Sequence, residues 1–94
     1  MRITGRNIAR HELIGLEVKV ASHTNKYLEG IEGIVVWETK NMLWIKTRDM
    51  RVVKVFKAGG VFMFRLPGND WVKVTGELIN YRPEDRVKEA VRRG

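Results

Sequence analysis

Between residues 16 and 75 apolar side chains recur at every second position, in short runs broken by glycine, proline or paired polar residues. That period belongs to strands with one buried face, and it excludes a helical bundle for most of the chain. Leu16, Val18 and Val20 alternate with Glu17 and Lys19. A second strand spans Ile31 to Thr39, with Gly30 and Gly33 marking a bend or bulge. Its run Ile34-Val35-Val36-Trp37 is apolar at both parities, which predicts an interior strand with Trp37 in the core. Leu43 and Ile45 alternate with Trp44 and Lys46 in a third strand, and Arg51 to Phe56 form a fourth after a short connection at Asp49-Met50. Phe62, Phe64 and Leu66 alternate with Val61, Met63 and Arg65. Val72 and Val74 alternate with Trp71, Lys73 and Thr75.

Lys40-Asn41, Ala58-Gly59-Gly60 and Pro67-Gly68 fall between the runs as turns, the last in the order of a type II turn. Six short strands joined by such turns predict a mainly β fold. The expected form is a closed or nearly closed antiparallel barrel, which also hides sheet edges. The ends change period. Asn7 is placed to cap a short helix through Ile14, with Gly15 to end it. A second helix is expected over about residues 83–93, with Pro83 at its first position, acids at its start and Arg92 and Arg93 at its end. Ninety-four residues suffice for one domain, 1–94, with the barrel over about 16–80.

Several function classes lose their footing. Without cysteine there is no disulfide scaffold, thiolate metal site or cysteine nucleophile. His11 and His23 lack second ligands at metal spacing, so no metal site is expected. Gly59-Gly60 lacks the Lys-Ser/Thr of a phosphate loop, and no other catalytic set is found. No apolar run reaches bilayer length and no secretory segment leads the chain, so a cytoplasmic location is expected.

Charge is the positive signal. Eighteen Lys and Arg face eleven Asp and Glu, a formal net charge of +7. Such an excess favours a polyanion through counterion release. The terminal helix has only a small Val/Ala face, Val87, Ala90 and Val91, which disfavours a membrane surface and leaves nucleic acid. The basic residues are distributed, as on a folded surface touching many phosphates. Arg2, Arg6, Arg10, Lys19, Lys26, Lys40, Lys46, Arg48, Arg65, Lys73 and Arg86 form the candidate pool of RNA contacts. Strand parity turns Trp44, Lys46, Arg65, Trp71 and Lys73 outward. There the two tryptophans either stack bases among cations or are covered by the terminal helices or a partner. Leu13 and Ile14 with Val87 and Val91 are the candidate protein-partner surface.

Taken together, His11-Glu12-Leu13-Ile14-Gly15-Leu16, Ser22, Asn25, Gly30-Ile31-Glu32-Gly33, Glu38-Thr39-Lys40-Asn41, Phe62-x-Phe64-x-Leu66-Pro67, Gly76-Glu77-Leu78 and Arg82-Pro83-Glu84-Asp85-Arg86 show a family pattern. In order and spacing they resemble the archaeal ribonuclease P protein component 1 family from about residue 8 onward. The resemblance implies an Sm-like/SH3-like barrel. It implies a protein subunit that assists a catalytic RNA, with magnesium ions held by that RNA, in removing the 5′ leader of precursor tRNA. It further implies a zinc-ribbon protein partner met largely through the terminal helical regions, and action on the specificity domain of the RNA. Trp44 departs from the pattern, which leads one to expect a smaller polar residue there. The competing expectations are a protein-interaction adaptor, a ribosomal-type RNA-binding barrel and a free-standing nuclease.

Overall fold

The computed structural model describes residues 13–80. They contain six strands: β1 (Glu17–His23), β2 (Glu32–Glu38), β3 (Met42–Lys46), β4 (Val52–Phe56), β5 (Gly60–Arg65) and β6 (Trp71–Thr75). Two 3₁₀ turns accompany them, Lys26–Leu28 between β1 and β2 and Gly76–Ile79 after β6. The strands form one antiparallel sheet in the order β4-β3-β2-β1-β5-β6. Both expected helices, 7–14 and about 83–93, lie almost wholly outside the described residues. The last residues of the first, Leu13 and Ile14, belong to a turn in which Leu16 N–H donates to the Leu13 carbonyl and Gly15 takes φ +94°.

Alternation sets the core as the sequence requires. Val18, Val20, Val35, Leu43, Ile45, Val55, Phe62, Phe64 and Val74 come from all six strands and share one buried cluster, with Leu13, Leu66 and Ile79 added from outside the strands. One cluster lined by six strands needs a strongly curled sheet. Two irregularities supply curl, one between Val20 and Ser22 on β1 and one between Val35 and Trp37 on β2. They fall at Ala21 and Val36, not at the glycines. Gly33 serves another end: a Cβ there would collide with the Lys46 carbonyl of β3.

The expected closed barrel is corrected here. Among the described residues no ladder joins β4 to β6, so the sheet is curled but open along those edges. The reason lies in the chain after each edge strand. β4 ends at Phe56 and turns through Lys57–Gly60 into β5, and β6 gives way at Gly76 to a 3₁₀ turn. Just past the ends of the two edge strands, Gly76 packs so tightly on the Lys57 carbonyl that any Cβ would overlap it. A side chain at the end of β1 reaches the end of β4. The His23 ring lies with Nε2 2.9 Å from the Phe56 carbonyl while Asn25 N–H donates to its Nδ1 at 2.9 Å. A carbonyl only accepts and Nδ1 is taken by Asn25, so the ring donates through its Nε2–H. His23 is thus a buried structural residue whose two ring nitrogens are both engaged.

Lys57 is the central tie. Its side chain and that of Glu38 are wholly buried, with Nζ 2.7 Å from Glu38 Oε2. The ammonium also donates to the carbonyls of Thr39 at 2.7 Å and Lys40 at 3.3 Å. Three donors thereby meet three acceptors, the condition under which a buried charge is tolerated.

Two hairpins share one device. Thr47 N–H donates to Arg51 O and Met50 N–H to Thr47 O, with Met50 at φ +69°. Leu66 N–H donates to Asp70 O and Asn69 N–H to Leu66 O, with Asn69 at φ +69°. Both are three-residue loops closed by a left-handed residue. Pro67-Gly68 is therefore not the expected type II turn: Asn69, not Gly68, takes the positive φ.

Removing one partner of a buried ion pair strands the other. Lys57→Met is expected to cost about 3–5 kcal/mol, lowering the melting midpoint by more than about 10 °C for a domain of this size. The double variant Lys57→Met/Glu38→Leu regains most of that loss. A single variant as stable as the wild type in thermal unfolding would contradict this role.

Candidate nucleic-acid interface

With one face of every strand committed to the core, the other face presents rows that cross the sheet. On β1, β5 and β6 one row is Glu17, Arg65 and Trp71 and the next is Lys19, Met63 and Lys73. Lys19 and Lys73 are exposed and lie two strands apart, roughly 10 Å. Arg65 donates to Glu17 Oε1 at 3.1 Å and to Asn69 Oδ1 at 2.7 Å, so its guanidinium is oriented along the surface. The pair is partly exposed and contributes at most about 1 kcal/mol.

The outer face of β2, β3 and β4 differs. Ile34, Lys46 and Val52 form one row, Trp37, Trp44 and Lys54 the next, and Met42 and Phe56 the last. The bulged Val36 puts Trp37 on the outside, 54% exposed, which corrects its expected place in the core. Trp44 is half-buried, and the Lys54 ammonium sits 4.6 Å above its ring, a cation–π contact. Among the described residues a strand neighbour thus lies over Trp44. A cleft of about 510 Å³ opens at the end of this face, lined by Glu32, Ile34, Lys46, Arg48, Met50 and Trp71 among others.

The β3–β4 turn holds Arg48 at the rim of the cleft. Asp49 accepts from the Thr47 hydroxyl and from Arg51 Nε at 2.7 Å. Those two contacts, the Thr47 hydroxyl first, hold the Asp49 carboxyl below its ordinary value of 3.8. At the opposite end Glu77 accepts from Gly59 N–H at 3.2 Å, and that bond holds its carboxyl below the ordinary 4.5.

Cations thus stand on both outer faces of the sheet, among apolar and aromatic side chains. The family model for ribonuclease P/MRP subunit p29 matches residues 6–89. Ribonuclease P protein component 1 of Staphylothermus marinus is 49% identical over 98% of this chain and 100% of its own length. The same component of Methanothermobacter thermautotrophicus is 45% identical over 97% and 98%. A solved structure described as Mth11, a homologue of the human RNase P protein Rpp29, superposes with TM-score 0.61 at 44% identity, covering 82% of this chain and 99% of that one. The chain belongs to the ribonuclease P/MRP subunit p29 family.

Within this p29-family chain the expected RNA contacts are not gathered at one point. Lys19, Arg65 and Lys73 share the β1-β5-β6 face, and Lys46 and Arg48 flank the cleft. Lys26 lies apart in the first 3₁₀ turn, and Lys40 is exposed in the β2–β3 turn while its carbonyl serves Lys57. Arg2, Arg6, Arg10 and Arg86, with Val87 and Val91 of the expected partner surface, lie outside the described residues. Leu13 is wholly buried in the core and Ile14 packs against it, so Leu13 is a core residue rather than one offered to a partner. Exposed Lys54 and Arg51 were missing from the pool. Strand parity alone could have added Lys54, which stands opposite Trp44.

Below pH 3.8 the turn contacts of Asp49 are lost as the folded-state value is crossed, because the lowered group stabilises the turn fully only above its unfolded value. An NMR titration should place the Asp49 midpoint below 3.8, and Thr47→Val should raise it. A wild-type midpoint at or above 3.8 would contradict the geometry.

Proposed function

We infer that this chain is an RNA-binding protein subunit of ribonuclease P and assists its RNA in removing the 5′ leader of precursor tRNA. The carrying observation is membership in the p29 family over residues 6–89, joined to outer sheet faces on which cations interleave with apolar and aromatic side chains. The chain acts within the holoenzyme, and chemistry resides in the RNA with its magnesium ions. Lys19, Lys46, Arg48, Arg65 and Lys73 contact phosphates. They position the protein by backbone and shape, since side chains read duplex RNA sequence poorly.

Finer parts of the reading rest on family resemblance: an Sm-like relation of the curled sheet, a zinc-ribbon protein partner, the specificity domain of the RNA as the docking region, and a cytoplasmic location. Val87 and Val91 would serve the partner contact. No helix among the described residues is long and apolar enough to cross a membrane.

Binding of the full chain to ribonuclease P RNA tests the core of this reading. Log affinity should fall linearly with log salt, and Lys19→Gln/Lys73→Gln should reduce the slope by nearly one per contact, about two for the pair. An unchanged slope would remove this face from the interface.

A further inference from the structure

We propose that the outer face of β2, β3 and β4 is a stacking platform for unpaired nucleotides, with bases on Trp37 and Phe56 and phosphates on Lys54 and Lys46. The proposal rests on the ribonuclease P reading and deepens it by naming the RNA element and its site. Trp37 and Phe56 are 54% and 56% exposed. They stand in successive rows, Trp37 beside Trp44 and Lys54, and Phe56 beside Met42. Successive rows on one sheet face are about 7 Å apart and strands two apart are roughly 10 Å apart, which puts the two positions roughly 12 Å from each other, so the two rings can hold separate bases of one extended strand. Buried Glu38 cannot reach this face, and its charge is met by Lys57.

Charge decides which partner suits these rings. The outward positions of β3 and β4 are Met42, Trp44, Lys46, Val52, Lys54 and Phe56, with no carboxylate among them. Lys40 stands exposed in the turn just beyond Trp37. Glu32 is exposed at the start of β2, beside the cleft; on β3 and β4 the charged outward neighbours of the rings are Lys46 and Lys54, which fit the phosphates of single-stranded RNA whose bases stack on the rings. The Lys54 ammonium, resting 4.6 Å above Trp44, is already held beside the site and keeps donors for a phosphate. Paired RNA hides its base faces, so the platform selects loops, bulges and ends over duplex.

The test is a fluorescence titration of the full chain with a short oligouridylate. The expected result is quenching of tryptophan emission, most of it lost in Trp37→Leu. Trp37→Leu and Phe56→Leu should each weaken binding about five- to hundredfold with the salt slope unchanged. Lys54→Gln should lower that slope by nearly one. Tyr27→Leu, a still more exposed ring in the first 3₁₀ turn, should change nothing. Both ring variants remove exposed side chains, so their melting midpoints should match the wild type. Wild-type affinity in both ring variants would overturn the platform. So would wild-type oligonucleotide binding together with lost co-purification of the zinc-ribbon subunit, which would make the face a protein interface. Failure of the platform alone leaves salt-dependent binding of the whole ribonuclease P RNA intact; failure of the functional reading abolishes that binding too.

Discussion

The fold turns on an ammonium buried beside a carboxylate. Lys57 lies where β4 ends, Glu38 where β2 ends, and the carbonyls of Thr39 and Lys40 complete the ammonium's shell. Edge strand, central strand and the β2–β3 turn are thereby fixed at one point. Gly76 then packs on the Lys57 backbone, and Glu77 caps the Gly59 amide beside it. A sheet without a closing ladder still holds its curl because one end is pinned by these contacts. The pair is a weak source of net stability compared with an apolar replacement, but breaking one half is costly. Its role is to fix geometry.

That geometry decides what faces outward. Once the sheet is curled and pinned, every strand commits one parity to the core and offers the other to a partner. The bulge at Val36 divides β2 into two registers, so Ile34 and Trp37 both point out although they are an odd number of residues apart. The outer surface consequently splits in two. On β1, β5 and β6 the cations are tempered by Glu17 and Glu32 nearby. On β3 and β4 they are not, and there Phe56 is exposed, with Trp37 of β2 on the same side of the sheet. A folded RNA presents both phosphates and unstacked bases, the two demands for which the two faces are proposed.

Much of this was legible in the sequence, for a physical reason. Period-two burial at Leu43, Ile45, Phe62, Phe64 and Val74 is a local rule, and each of these side chains is buried as read. Three features were not legible. Trp37 follows a bulge, and an inserted residue reverses parity without any mark in an all-apolar run. Lys57 reads as one more solvated cation, since burial of a lysine depends on acceptors contributed by residues nearly twenty positions away. Closure of the sheet depends on how the edge strands end, and alternation is the same for a barrel and an open curl. The Pro67-Gly68 turn shows the same limit: loop length, not the dipeptide, placed Asn69 in the left-handed region. On the outer face, the outward parity of Trp44, Lys46, Arg65, Trp71 and Lys73 was legible and their grouping was not, because grouping follows from strand order.

Lysine acylation of the full chain, with and without ribonuclease P RNA, read residue by residue by mass spectrometry, tests both halves of the account together. Buried Lys57 should stay unreactive throughout, while Lys19, Lys54 and Lys73 react readily alone and are protected by the RNA. Reaction of Lys57 as fast as exposed Lys26 in the free protein, or outer-face lysines equally reactive with RNA present, would contradict it.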